Sequence, residues 1–258
     1  MRDRIIRTAD AIRSDRYPDA TAVFAAGSLI RGEGTAYSDL DLVVVRSALA
    51  SAYRESFRFD GCPVEAFVHD RQTLEYFFFE IDRPSGIPAL PQMVVEGVEI
   101  PAPNDVSRAL KAQAASVMAM GPPALDAETE RRWRYGVTDL LDDLRDPRSI
   151  DELVATGARL YEQLADYHLR RQGRWSGRGK AIPRALVREN AELCARYCRC
   201  FDRLFKAGDP HEVILLAERL LAAGGGPLFE GYRSDAPAAW RRTLPDERPT
   251  GDRVVAKE

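Results

Sequence analysis

The chain is poor in cysteine, histidine and lysine. Its 258 residues include four cysteines and three histidines, and the lysines are Lys111, Lys180, Lys206 and Lys257. A chain this long buries enough apolar surface to fold without disulfide staples. Three of the cysteines, Cys194, Cys198 and Cys200, sit in "CARYCRC" within a helical pattern. That spacing matches no paired Cys-x-x-Cys zinc signature, so reduced thiols packed on a helix are expected. A basic excess is missing too: the formal net charge is −3 and the pI is near 5.8. That excludes a general nucleic-acid binder and argues against template-directed polymerisation. The arginines are interleaved with acids, as on solvated helix surfaces. No apolar run approaches the roughly 18 residues of a membrane span. The opening "MRDRIIRTADAIRSD" is charged throughout and has no apolar signal core. A cytoplasmic protein is expected.

The rest of the composition is that of an ordinary globular chain, 45% hydrophobic and 30% charged. Ile5, Ile6, Ala9 and Ile12 recur at helical spacing. "TAVFAAG" and "LDLVVV" read as strands. "SFRFDGCPVEAFV" reads as a hairpin around Asp60-Gly61, a dipeptide suited to positive φ. Asp70 is placed to cap a helix through "RQTLEYFFFEID". A Pro/Gly-rich connector, "RPSGIPALPQ", follows, and "MVVEGVEIPAP" suggests a last strand pair around Glu96-Gly97. Beyond residue 101 the pattern is helical throughout. Helices are predicted over 104–120 and 126–145, then from a capping box at Ser149 and Glu152 to about Arg171. A fourth runs from Pro183 to near Gly208, and a fifth starts at Asp209-Pro210. The loop "QGRWSGRGKAIP" lies between the third and fourth. The boundary divides the chain into 1–101, strand and helix mixed, and 102–258, all-helical.

The chemistry concentrates in "GSLIRGEGTAYSDLDLVVV", Gly27 to Val45. Alternation puts Asp39 and Asp41 on one face of a strand and Leu40, Leu42 and Val44 on the other, toward the core. Two carboxylates so close repel each other and call for a counter-charge. Hard oxygen ligands suit Mg²⁺. Gly27 and Ser28 end the preceding strand, where glycine allows close backbone approach and N–H groups with the Ser28 hydroxyl can grip phosphate. Phosphate donors beside paired carboxylates describe a metal–nucleotide site, and two metal ions there can clamp the attacking and leaving oxygens of a phosphoryl displacement. Glu65 stands among apolar neighbours on another strand. In the right register it joins Asp39 and Asp41, as a metal ligand or as the base for an attacking hydroxyl. The bland alternatives are exposed, salt-bridged aspartates and a salt-bridged strand glutamate.

Gly27-Ser28, ten intervening residues, Asp39-Leu40-Asp41 and a later acidic strand residue together resemble the nucleotidyltransferase superfamily that includes DNA polymerase beta. The likeness covers roughly the first hundred residues. Arg31, Gly32 and Ser38 look like further family positions in the intervening loop. With a helical C-terminal half the arrangement is similar to the small aminoglycoside nucleotidyltransferases, whose third acid lies on a strand like "VEAFVHD". The resemblance implies an α+β chain, a small mixed-sheet nucleotidyltransferase domain followed by an all-helical bundle. It implies Mg²⁺ on Asp39, Asp41 and Glu65, with Glu65 also the base. Gly27, Ser28, Arg31 and Ser38 would meet the nucleotide. AMP from ATP would pass to an acceptor hydroxyl with release of pyrophosphate, in a monomer or homodimer. Related enzymes reach back to the triphosphate with a lysine. Here Lys180 is the candidate, with Arg174, Arg178 and Arg184 around it, unless that stretch is simply a basic surface loop.

For the acceptor, Asp139, Asp142, Asp143 and Asp146 fall along one side of a helix. They would attract a cationic aminosugar, or else form a solvated face paired with Arg132, Arg145 and Arg148. Trp133, Tyr135 and Trp175 are candidates to stack on its rings. The main expectation is an enzyme acting on a small molecule. An AMP-adding modifier of a protein partner and a nucleotide-binding module without turnover are the alternatives. Three convergent carboxylates argue against the last, since binding ATP does not need them.

Overall fold

The computed structural model describes residues 2–241. The elements in chain order are α1 (Arg2–Arg16), β1 (Ala22–Ala26), α2 (Gly27–Arg31), β2 (Leu40–Arg46), β3 (Tyr53–Phe59) and β4 (Cys62–Asp70). Next come α3 (Arg71–Tyr76), a π-helical segment Phe77–Asp82, α4 (Arg83–Ser85), α5 (Ala89–Glu96) and β5 (Val98–Ile100). The remaining helices are α6 (Asp105–Met120), α7 (Ala127–Arg145), α8 (Ile150–Arg171), α9 (Ile182–Glu189), α10 (Ala191–Ala207) and α11 (His211–Ala222). A 3₁₀ turn, Gly179–Ala181, leads into α9, and another forms at Ala238–Trp240.

The five strands form one mixed sheet in the order β3-β4-β2-β1-β5, with β2 and β4 parallel and the other pairs antiparallel. The fold is therefore α+β. β2 is central and reads as a nearly unbroken apolar run because both its faces are covered. On one face α1 lays Ala9 and Ile12 over Val23, Leu40, Leu42, Val44, Val64 and Ala66. On the other, Phe24, Val43 and Val45 meet Leu74, Phe78, Leu90 and Val94, and α6 adds Leu110, Ala114 and Val117. A separate cluster, built from α7 to α11 around Leu141, Leu164, Tyr197, Phe201 and Leu216, fills the helical bundle. Thus α6 packs with the sheet, and the bundle's own core begins at α7.

Local chemistry sets most boundaries. Asp60 (φ 47°) and Gly61 (φ 78°) make the β3–β4 turn with both residues left-handed, the geometry that matches strand twist. Asp70 and Thr73 cap α3 reciprocally, as Asn104 and Ser107 cap α6.

Four expectations need correction. "MVVE" is the end of α5 and not a strand; only Val98–Ile100 pairs with β1. Leu90 and Val94 recur at helical spacing and bury against the sheet, and Pro91 falls in the first turn, where no intrahelical donor is needed. The connector "RPSGIPALPQ" is accordingly mostly helical, with only Gly86 to Pro88 outside α4 and α5. The helix expected from Pro183 to Gly208 breaks at Asn190, which leaves the helical region (φ −158°, ψ 112°) and accepts from the Leu193 N–H to cap α10. The box at Ser149 is one-sided: its hydroxyl accepts from the Glu152 N–H, but the Glu152 carboxylate takes the Arg148 N–H.

Candidate active site

The site forms where β1, β2 and β4 run side by side. Cross-strand pairing places Ala26 opposite Asp41, and Asp41 opposite Glu65. Asp39 immediately precedes β2. One carboxylate oxygen each from Asp39, Asp41 and Glu65 lie within 4.8 Å of one another, and all three residues are half-buried. Among the described residues this is the one group of three or more His, Cys, Asp or Glu side chains so arranged; the cysteines of "CARYCRC" form none.

Gly27 opens α2 with φ 81°, a conformation that costs any residue bearing a Cβ. A Cβ there would also overlap the Asp41 carboxylate. Glycine is required because the carboxylate packs directly on its Cα, a closer constraint than phosphate approach alone.

Asp41 is pushed up to about 6, first by burial and then by repulsion from Asp39 and Glu65, while Arg31 and Lys180 pull it down. Burial and repulsion among the three carboxylates thus outweigh the pull of Arg31 and Lys180 on Asp41. Three hard oxygen donors at this spacing, with one acid reluctant to ionise, fit a divalent cation such as Mg²⁺. Glu65 is held by Arg54 in an ion pair and accepts from the Ser56 hydroxyl at 3.4 Å.

A cleft of about 390 Å³ opens over the carboxylates. Gly27, Ser28 and Arg31 line one side, and Ile87, Gln92, Met93 and Glu96 of the α5 region form another. The third wall comes from the bundle: Ser176, Lys180, Arg184 and Arg188. Arg31 meets Glu33 (3.1 Å) and Glu96 (3.4 Å), Arg184 meets Glu33 (3.2 Å), and Arg188 meets Glu96 (3.5 Å). Lys180 is exposed and makes no ion pair among the described residues.

The structure brings together Asp39, Asp41, Glu65, Gly27, Ser28, Arg31 and Lys180, with Arg184 beside them. It does not bring in Ser38, whose hydroxyl accepts from the Thr35 N–H at 2.9 Å and ties the loop ahead of Asp39. Arg174 pairs with Glu189 (2.9 Å), and Arg178 lies over Asp166 and Glu162 outside the cleft. The acidic side of α7 is a solvated face: Asp142 pairs with Arg145, and none of Asp139, Asp142, Asp143 and the following Asp146 lines the cleft. The aromatic candidates are otherwise engaged. Trp133 packs on the bundle core, Tyr135 stacks on Tyr232 (4.0 Å between centroids), and Trp175 donates to the Met118 carbonyl at 2.9 Å. Glu96, Arg188 and Arg54 were missed from sequence. The first two reach the cleft only through helix packing, whereas Arg54 is readable from the hairpin register.

No family model matches the chain, and a search of curated proteins finds no match. Among solved structures, a nucleotidyltransferase-like protein from Exiguobacterium sibiricum 255-15 is similar at 16% identity, over 85% of this chain and 75% of that one, with a TM-score of 0.41. So loose a likeness says nothing of this chain's chemistry. No helix among the described residues is long and apolar enough to cross a membrane.

Proposed function

We propose that this chain is a nucleotidyltransferase that moves AMP from ATP to a hydroxyl of a small molecule and releases pyrophosphate, working in the cytoplasm. The observation that carries this reading is the convergence of Asp39, Asp41 and Glu65 beside the Gly27-Ser28 turn, under a cleft walled by arginines and Lys180. A binding module has no use for three mutually repelling carboxylates.

Asp39 and Asp41, with Glu65, would hold Mg²⁺. When bound, the ion supplies the missing counter-charge and polarises phosphate oxygens. The Ser28 hydroxyl and the N–H groups at the start of α2 meet phosphate oxygens. Lys180 and the arginines of the cleft offset the triphosphate's charge as pyrophosphate separates. Glu65 takes the acceptor's proton as its oxygen bonds to the α-phosphorus and the bond to the bridging oxygen breaks. The bundle wall narrows the cleft and limits competition from water.

The test is pyrophosphate release from ATP and Mg²⁺ against a broad library of hydroxyl compounds, with mass spectrometry for an added AMP. Transfer lost in Asp41→Asn is expected. A purified protein that neither binds ATP with Mg²⁺ nor modifies any member of the library sinks the reading.

A further inference from the structure

The donor cradle and the third carboxylate lie on opposite sides of Asp41. Gly27, Ser28 and Arg31 stand on the β1 side; Glu65 stands one strand away on β4, with β3 beyond it at the sheet edge. In an in-line displacement the acceptor enters opposite the leaving pyrophosphate. If nucleotidyl transfer is the reaction, on which this inference rests, the acceptor's body therefore lies over the β4–β3 edge.

On the face that carries Glu65, the charged side chains of β3 are both arginines. The register pairs Ser56 with Glu65, Arg54 with Phe67 and Arg58 with Pro63, so β3 shows Arg54, Ser56 and Arg58 on the face that carries Glu65. The acid of β3, Glu55, is on the other face, where Tyr17 donates to it at 2.7 Å and Arg16 pairs with it at 3.3 Å. The Arg54 guanidinium spends one nitrogen on Glu65 and lies 5.1 Å from the Phe67 ring centroid, while its side chain stays 61% exposed and its remaining N–H groups are free to meet an oxyanion. Arg58 is exposed and spends one N–H on the Gly61 carbonyl at 3.1 Å. Each arginine sits two residues from Ser56, about 6.6 Å along the strand. A hydroxyl poised at Glu65 is thus bracketed by two guanidinium forks, shaped for carboxylate or phosphate. β3 itself sets no carboxylate on this face to receive an amine, and Glu96, the cleft's further carboxylate, already faces Arg31 and Arg188.

We infer that the acceptor is an anionic hydroxyl compound, a phosphate monoester or hydroxy acid whose oxyanion is held by Arg54 and Arg58, and not a cationic aminosugar. The probes are glycerol 3-phosphate, glycerate, glycerol and 3-amino-1,2-propanediol. Each is titrated calorimetrically into the full-length protein with Mg²⁺ and α,β-methylene-ATP. The two anions are expected to bind at least tenfold tighter than glycerol or the amine, the tighter of the two identifying the preferred oxyanion. Arg58→Ala, which touches no carboxylate of the site, should remove most of that gain, and Arg54→Ala should do the same. Anions that bind no better than glycerol, or an anion affinity unchanged in Arg58→Ala, would overturn the inference. Failure of the nucleotide analogue to bind would instead sink the transfer reading. The Arg58 dependence of glycerol 3-phosphate binding without nucleotide would still decide for or against this arginine shelf, Arg54 and Arg58 on β3.

Discussion

Asparagine in place of Asp41 should stabilise the metal-free protein while abolishing transfer. In the folded chain Asp41 titrates at about 6 in place of its ordinary 3.8. The folded state therefore holds this proton more tightly than the unfolded state does. Stability from this group is greatest below the unfolded value, falls as the pH rises from about 4 to about 6, and stays low above that. At roughly 1.4 kcal/mol per pH unit the penalty at pH 8 is about 3 kcal/mol, and partial solvent access brings it nearer 2 kcal/mol. Asparagine keeps the shape and the contact with Gly27 but carries no charge.

The assay is urea unfolding at pH 8 with a chelator present. Asp41→Asn should exceed the native protein by about 2–3 kcal/mol, a midpoint shift of roughly 1–2 M at ordinary denaturant slopes. The gap should close by pH 4. Added Mg²⁺ should raise the native protein and leave the variant nearly unmoved, because binding to the folded state alone is what stabilises. A variant equal to or weaker than the native protein at pH 8 would refute the reasoning, since Asp41 would then be paying no electrostatic cost.

Lys180→Ala removes a cleft cation free of any described ion pair, so Mg²⁺-dependent ATP binding should weaken about tenfold, the loss of one charge-assisted contact; unchanged ATP affinity and turnover would return Lys180 to the surface. Gly27→Ala puts a Cβ into the Asp41 carboxylate at positive φ, so stability should fall by at least about 2 kcal/mol and transfer should be lost, checked by thermal melts and pyrophosphate release. Asn190→Ala removes the α10 cap and should cost about 1 kcal/mol in urea titrations with ATP affinity unaltered; no loss would show that the break between α9 and α10 is held by packing alone.

The elements most readable in sequence were those whose signals are local. Asp60-Gly61, the Asp70 cap and the valines of β2 each state their structure within a few residues. The misreadings fall where tertiary context decides. "MVVE" has strand composition, but Leu90 and Val94 find the sheet's second face only as a helix, and the Leu90 N–H finds the buried Asp82 carboxylate at 2.7 Å. Asn190 sits in a helical pattern that nothing nearby forbids. The chain breaks there because the side chain can serve as a cap, and α9 then runs separately along the cleft. The packing of α6 on the sheet was likewise invisible, since Leu110, Ala114 and Val117 suit either core.

The site divides along the same line. The Gly27-Ser28 turn, the two aspartates and Glu65 were all legible, because strand alternation and one register relation suffice to gather them. The arginine shelf was legible by the same rule. A two-residue turn at Asp60-Gly61 sets Phe59 opposite Cys62, hence Ser56 opposite Glu65 and Arg54 opposite Phe67. Following that register back along β3 puts an arginine on each side of Ser56, which stands opposite Glu65. The opposite wall was not legible. Arg184 and Arg188 face Glu33 and Glu96 across the cleft only once the bundle has docked, and no spacing within "IPRALVRE" specifies that partner. The difference bears on the acceptor. An acidic helix face with nearby aromatics suggests a cation when read alone, but it is solvated and its rings are packed away. The charged side chains that β3 sets on the face of Glu65 are Arg54 and Arg58, on the strand where the proposed transfer would receive the incoming hydroxyl.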